Sequence, residues 1–246
     1  MTTVAWIRAD WPAPAGITGG TTCRTGGVSK SAYRSLNLAA HVGDDEHSVQ
    51  ENRRRFATAC GLPGEPAWLK QVHGTTVIEA GEPQGTDGAD AVIATSGDRV
   101  CAVLTADCLP VLFASDDGRE IAAAHAGWRG LCDGVLEATV AAFESPPSRL
   151  MAWFGPAISR RAFEVGGEVR DRFLSRDPNA SACFEKNARG RWQADLYGLA
   201  ALRLEKAGVT RRYGGGRCTF GEPEAFFSYR RDGQCGRMAT FVFRTG

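Results

Sequence analysis

Between residues 100 and 124 the chain carries three short apolar runs, at 100–104, 109–113 and 121–124, none of which alternates with polar residues. A strand with one wet face alternates. Uninterrupted runs of this length suit strands buried on both faces. Further strand-like stretches occur at 68–72, 75–79, 91–93, 151–154, 225–229 and 238–243, the last two joined by a polar turn at 230–234. Residues 16–37 read as strands and turns, with a loop at 25–29.

Helical patterning is interspersed with these strands. Asp44 and Asp45 are candidate caps for a helix through 48–60 that Gly61 and Pro63 would stop, with Val49, Arg53, Phe56 and Cys60 along one face. Further helices are expected at 132–143, 167–175 and 195–206, and residues 87–90 form a turn into the strand at 91–93. The elements follow no strict βαβ alternation, which predicts an α+β layered fold. No repeat or low-complexity linker divides the chain, so residues 1–246 read as one domain.

A formal net charge of +1 gives no global field for nucleic acid or an anionic membrane, so an anionic substrate must be caught by locally placed arginines. The N-terminal residues lack a basic stretch followed by an apolar run, and no segment nears the roughly 20 apolar residues that cross a bilayer. The expectation is a cytoplasmic protein without membrane or nucleic-acid partners. The eight cysteines include no Cys-x-x-Cys pair, which disfavours a zinc ribbon or a thioredoxin-like motif.

Four histidines are present, His41, His47, His73 and His125. His47 falls in the first turn of a charged helix and reads as solvated, while the context of His41 is ambiguous. His73 and His125 each end an apolar run just before a glycine, which places an imidazole beside backbone that a ligand can approach. Cys108 lies in a kink between two apolar strands, preceded by Asp107 and followed by Pro110. Two imidazoles and a thiolate would make a three-ligand zinc site with an open fourth position. Their spacings of 35 and 17 residues match no compact finger, and Cys108 also reads as a thiol nucleophile with His125 as its base.

Arg24, before Gly26-Gly27, and Arg129, just after His125, are forks suited to phosphate oxygens. No P-loop and no G-x-G-x-x-G between a strand and a helix accompanies them, which argues against nucleotide-triphosphate and dinucleotide sites.

Taken in order, Arg24-Thr-Gly-Gly-Val-Ser29, Ser35-Leu-Asn-Leu38, His41-Val-Gly-Asp-Asp45, Glu51-Asn-Arg53, Gln71-Val-His-Gly74 and Ala89-Asp-Ala91 form a series of blocks. Leu104-Thr-Ala-Asp-Cys-Leu-Pro110, His125-Ala-Gly-Trp-Arg-Gly130, Gly155-Pro156 and Phe227-Ser-Tyr-Arg-Arg-Asp232 complete it. The series resembles the YfiH family, the laccase-domain or "polyphenol oxidase" proteins. The resemblance implies a single domain of stacked mixed β-sheets flanked by helices in α-β-β-α layers, related to cytotoxic necrotizing factor catalytic domains. It implies zinc at His73, Cys108 and His125. Copper(II) could replace zinc by affinity alone, being above it in the stability order. Cys108, His125 and Asp107 are the candidate catalytic residues, Asp107 either handling a proton or capping the turn. The resemblance also implies phosphorolysis of adenosine, inosine, guanosine and methylthioadenosine, and deamination of adenosine. The partners would then be purine nucleosides and phosphate, with Arg24, Arg53, Arg129 and Asn37 on the substrate side, in a monomer or homodimer. One departure is visible: Arg160-Arg161-Ala162 precede Phe163-Glu-Val-Gly166 where many members carry a cysteine, so no nucleophile is assigned there.

Three other activities remain to be weighed. A cysteine hydrolase acting on cell-wall precursors would use Cys108 as nucleophile, which a metal on the same thiolate would block. True laccase chemistry needs several coppers held largely by imidazole, and four histidines are too few. A metal-dependent binding protein would have no use for an open coordination position.

Overall fold

The three apolar runs do form strands at the centre of the molecule. The computed structural model describes residues 3–82, 85, 87–95 and 97–245. Its strands begin with β1 (Trp6–Arg8), β2 (Ile17–Thr22), β3 (Val77–Glu79), β4 (Ala91–Ala94), β5 (Val100–Thr105), β6 (Leu109–Ser115) and β7 (Ile121–Ala126). They continue with β8 (Leu150–Phe154), β9 (Glu164–Val165), β10 (Phe184–Lys186), β11 (Trp192–Ala194), β12 (Arg211–Gly214) and β13 (Met238–Arg244). The α-helices are α1 (Glu46–Cys60), α2 (Trp128–Asp133), α3 (Val135–Ala141), α4 (Gly167–Arg176), α5 (Leu196–Lys206) and α6 (Tyr229–Asp232).

Two large sheets carry the fold. One has six strands in the order β12-β8-β6-β7-β4-β3 and the other four in the order β1-β2-β13-β5, while β10-β11-β9 make a small third sheet. Leu112, Ala123 and Trp153 of the six-stranded sheet pack in one cluster with Ile17, Val103 and Val242 of the four-stranded sheet. The far face of the six-stranded sheet, including Val111, Phe113 and Ala124, is covered by Leu136 of α3, Phe173 of α4 and Leu199 of α5. Phe56 of α1 covers Ala102, Phe241 and Phe243 on the far face of the other. The result is the expected α-β-β-α layering. It also explains why β5, β6 and β7 are buried at every residue: each has apolar neighbours on both faces. The connection from β5 to β6, residues 106–108, passes from one sheet to the other and carries Cys108 across the end of the sandwich.

Local chemistry explains most boundaries. Asp45 caps α1 by accepting from the Ser48 N–H, and Gly61 ends it at φ +64°. Asp44 plays no capping part; its carboxylate accepts from Ser29 Oγ and Asn37 Nδ2. The buried face of α1 is Val49, Asn52, Phe56 and Cys60, so the face is centred on Asn52 and not on Arg53. Arg53 lies half-buried beside it, its Nε donating to Leu38 O and its guanidinium stacked over Trp68.

Three expected elements differ. The helix at 132–143 is broken at Gly134, whose φ of +108° separates α2 from α3. The stretch 68–72 joins no sheet; instead the Gln71 side chain donates to Leu104 O and accepts from Leu104 N, standing in for a neighbouring strand. Within the stretch 225–229, Ala225 to Ser228 form a loop buried at 226–228, and Tyr229, which is exposed, opens α6. The loop's apolar pattern reflects Phe226 and Phe227 sealed against Ala106 and Met238, after which Ser228 Oγ caps α6. Among the described residues no helix is long and apolar enough to cross a membrane. The N-terminal signal reading begins on residues 1–2, which lie outside those described.

Candidate metal centre

His73, Cys108 and His125 converge from three parts of the chain at one end of the sandwich. His125 is the penultimate residue of β7, Cys108 precedes β6, and His73 sits in the loop before β3. Their ligand atoms all lie within 4.8 Å of one another, and among the described residues they are the one such group suited to a metal ion. Cys108 Sγ is 3.7 Å from His73 Nε2. Two ligands on a tetrahedral zinc, at about 2.3 Å for sulfur and about 2.0–2.1 Å for nitrogen, stand about 3.6 Å apart, so the donor set and spacing fit such an ion. His125 is buried, Cys108 half-buried, and His73 reaches the surface, which leaves the cluster accessible from the His73 side.

Backbone geometry aims these groups. His73 (φ +62°) and Asp107 (φ +94°) are two of the three non-glycine residues with positive φ among those described. Such conformations cost energy and persist where the surroundings over-determine them. At 72–74 the surroundings are Asp90, a fully buried carboxylate. Its Oδ2 accepts from the N–H groups of Val72 (3.1 Å) and Gly74 (2.7 Å), and its Oδ1 from that of His73 (2.9 Å). The same Oδ1 is 2.7 Å from His125 Nδ1.

Two glycines let α2 reach the cluster. A Cβ on Gly127 would meet His73 Cδ2 at 2.6 Å and Cys108 Sγ at 3.1 Å, and one on Gly130 would meet Gly74 O at 2.6 Å. Electrostatics follow from the crowding. Burial opposes ionisation of the Cys108 thiol, yet His125 and His73 beside it more than offset this and hold it well below the usual thiol range. Burial likewise opposes charge on His125, and Cys108 and Asp90 outweigh it and raise the imidazole.

Asp107 has both carboxylate oxygens engaged, accepting from Thr219 Oγ1 and Arg230 N at 2.6 Å each. Asn37 is fully buried and spends its side chain on Ala39, Asp44 and Arg237. Arg24 donates to Arg34 O and Pro223 O in a cleft of about 800 Å³ that also exposes Lys30 and Arg34. Arg53 lines a separate groove with Trp68. Arg129 is exposed in the first turn of α2, its guanidinium over Trp128. His41 and His47 are exposed outside the cluster. Sequence reasoning missed Asp90, Gly127 and Gly130. For Asp90 the available signal was an acid placed immediately before a wholly apolar strand.

A layered α/β domain with, among the described residues, one His-Cys-His cluster able to hold a metal ion defines a class distinct from zinc fingers and P-loop proteins. The chain belongs to the multi-copper polyphenol oxidoreductase laccase family, whose model matches residues 18–245. It is 53% identical over 238 residues to the purine nucleoside phosphorylase YfiH of Escherichia coli (strain K12), covering 96% of this chain and 98% of that protein. A purine nucleoside phosphorylase of Haemophilus influenzae is 48% identical over 239 residues, with 96% and 98% covered. Among solved structures, YlmD from Geobacillus stearothermophilus is similar at a TM-score of 0.90 and 32% identity, covering 100% of this chain and 98% of that one. A Neisseria meningitidis protein assigned to the family model DUF152 reaches a TM-score of 0.92 at 50% identity, with 98% and 99% covered.

Proposed function

We propose that this chain is a zinc-dependent purine nucleoside phosphorylase that also deaminates adenosine, acting in the cytoplasm as a monomer or homodimer. Its substrates in this reading are adenosine, inosine, guanosine and methylthioadenosine, each converted with phosphate to the free base and a ribose-1-phosphate. The observation that carries it is the His73-Cys108-His125 cluster in a chain with close, full-length relatives named purine nucleoside phosphorylase.

Phosphorolysis breaks the bond from C1′ to the base and forms one from C1′ to a phosphate oxygen. It therefore needs phosphate held in register with the ribose. Arg129 is the residue we assign to that task. Its guanidinium makes no hydrogen bond or ion pair among the described residues, and it lies two positions beyond Gly127, where a Cβ would run into both His73 and Cys108. Arg24 and Lys30 offer a second cationic surface for the anionic substrate in their own cleft. Asp107, with both oxygens engaged, fixes the turn that presents Cys108. Asn37 and Arg53 shape the substrate side through the backbone they hold. When bound, zinc supplies a Lewis acid with a free coordination position. Asp90 keeps the proton on His125 Nδ1 and so leaves Nε2 for the ion.

A second reading rests on one specific observation. Asp90, His125 and Cys108 follow the orienter, base and nucleophile order of thiol enzymes, which would suit a hydrolase of cell-wall precursors in metal-free protein. Multicopper oxidation has no comparable support, because the cluster accommodates a single ion. Copper(II), above zinc in the stability order, can take that place, and phenol oxidation would then be a side reaction.

The deciding experiment incubates metal-replete protein with adenosine and phosphate. Adenine with ribose-1-phosphate, and hypoxanthine from the deamination branch, are the expected products. Absence of both bases overturns the nucleoside assignment. Activity on an amide substrate that survives full chelation, with an acyl group trapped on Cys108, would favour the second reading.

A further inference from the structure

We infer that Asp90 is the positioning residue of the metal centre, setting two of the three ligands through a single carboxylate. Four donors converge on this one side chain: the N–H groups of Val72, His73 and Gly74, and His125 Nδ1. Three successive N–H groups aimed at one point form an anion-binding nest, and the left-handed backbone of His73 is what turns them inward. The anion filling the nest is part of the chain. Four donors require a group that only accepts, and among buried side chains that is a carboxylate.

The consequence for the ligands is direct. With Nδ1–H donated to Asp90, the lone pair of His125 is on Nε2, and the ring can rotate only by breaking a buried hydrogen bond. Asp90 grips His125 a second time, since its backbone carbonyl accepts from the His125 N–H at 2.7 Å. On the other side the nest fixes the φ of His73, and with it the direction in which that ring leaves the loop. Cys108 is positioned independently, by the turn that Asp107 ties down. An asparagine at 90 offers one accepting oxygen, so either the Val72 and Gly74 N–H groups, or the His73 N–H together with the imidazole, face an N–H₂ group and lose their partner.

The inference rests on the metal reading of the site, and its test separates the two. Zinc affinity is measured by competition with a chromophoric chelator for the native chain, for Asp90→Asn and for Glu120→Gln. Glu120 is the control because it is also a buried carboxylate accepting backbone N–H groups, from Glu144 and Ser145, away from the cluster. Asp90→Asn is expected to bind zinc about 10–100-fold more weakly, and Glu120→Gln to bind it as the native chain does. Affinity within twofold of native for Asp90→Asn, or an equal loss in both variants, overturns the proposal. Should Asp90→Asn fail to fold, the zinc-loaded native chain still decides through ¹⁵N-resolved imidazole spectra. Those must show a proton on His125 Nδ1 and coordination through Nε2; coordination through Nδ1 overturns the proposal. A native chain that takes up no zinc defeats the metal reading itself.

Discussion

Gly127 stands so near His73 that a methyl group on its Cα would come within 2.6 Å of the ring's Cδ2, and within 3.1 Å of Cys108 Sγ. The backbone at Gly127 is ordinary, with φ −60°, so what excludes a side chain here is the approach of the His73 and Cys108 side chains and not conformation. Gly127→Ala must therefore displace His73, Cys108 or the start of α2. Overpacking of this kind costs about 1–3 kcal/mol. Zinc affinity is expected to fall at least about tenfold with a measurable drop in Tm, the two read by chelator competition and thermal unfolding. Native zinc affinity in Gly127→Ala would mean that α2 yields freely and does not define the cluster.

The cysteines divide by environment. Burial pushes Cys60 up to about 12 and Cys183 up to about 11, whereas Cys108 is held down by its two histidines despite burial. Cys218 is also held down, by hydrogen bonds from Ser159 and nearby backbone N–H groups that outweigh its burial. A thiolate persists above its pKa, so a lowered value extends the reactive form toward lower pH. Limiting iodoacetamide at pH 7 should label Cys108 and Cys218 in metal-free protein and leave Cys60 and Cys183 unmodified. An ordinary thiol loses about tenfold in rate per pH unit below about 8.5; Cys108 should keep most of its rate from pH 9 down to pH 7. Zinc should protect Cys108 and not Cys218. Peptide mass spectrometry checks each site, and equal labelling of Cys60 and Cys108 would contradict the environments described.

Two kinds of information were unequally legible in the sequence. Strands β5, β6 and β7 could be read because burial on both faces leaves a composition signal that needs no partner to interpret. The grouping of His73, Cys108 and His125 could be read because His73 and His125 each end an apolar run and Cys108 lies in the kink between two. Asp90 could not, because its role depends on four donors brought to it from residues 72–74 and 125, a fact of tertiary structure. The loop at 225–228 reads as a strand in the sequence for a related reason. Phe226 and Phe227 are buried as deeply as any strand residue, but by the side chains around them and without a ladder. Asn52 was passed over in favour of Arg53 because a helical stripe reports which face is covered, not which polar residue can be satisfied there.

Arg24 and Arg129 look alike in the sequence and separate in the structure. Arg24 is tied by three hydrogen bonds to the carbonyls of Arg34 and Pro223 and stacks on Phe227. Arg129 is exposed and makes none among the described residues. Arg24→Ala should lower Tm, because it leaves two carbonyls without their donor. Arg129→Ala should stay within about 0.5 kcal/mol of native stability and bind zinc normally, while its KM for phosphate rises about 10–100-fold, the loss of one charged hydrogen-bonding partner. An unchanged phosphate KM in Arg129→Ala would remove that residue from the phosphate site.

Asn52 joins the loop that follows β2 to the helix that covers the sheet. It is fully buried. Its Oδ1 accepts from Val28 N at 2.8 Å, and its Nδ2 lies at 2.8 Å from Ser29 Oγ, 3.1 Å from Ser35 O and 2.9 Å from Asn37 O. One amide thus satisfies both sides of a loop that has no ladder of its own. Asn52→Ala leaves a buried N–H and buried carbonyls without partners, at a cost of about 2–4 kcal/mol. For a chain of this length that corresponds to a Tm about 5–15 °C lower. Asn52→Asp should be worse than alanine: the carboxylate can still accept from Val28 but turns its second oxygen toward Ser35 O and Asn37 O, with no proton between them. Zinc affinity of the folded fraction should stay native in both variants, since no metal ligand lies on α1 or its loop. The ranking native, then alanine, then aspartate in thermal unfolding is what identifies the donor side of Asn52 as the part that holds the loop. An aspartate variant as stable as native would mean that the Val28 contact alone suffices.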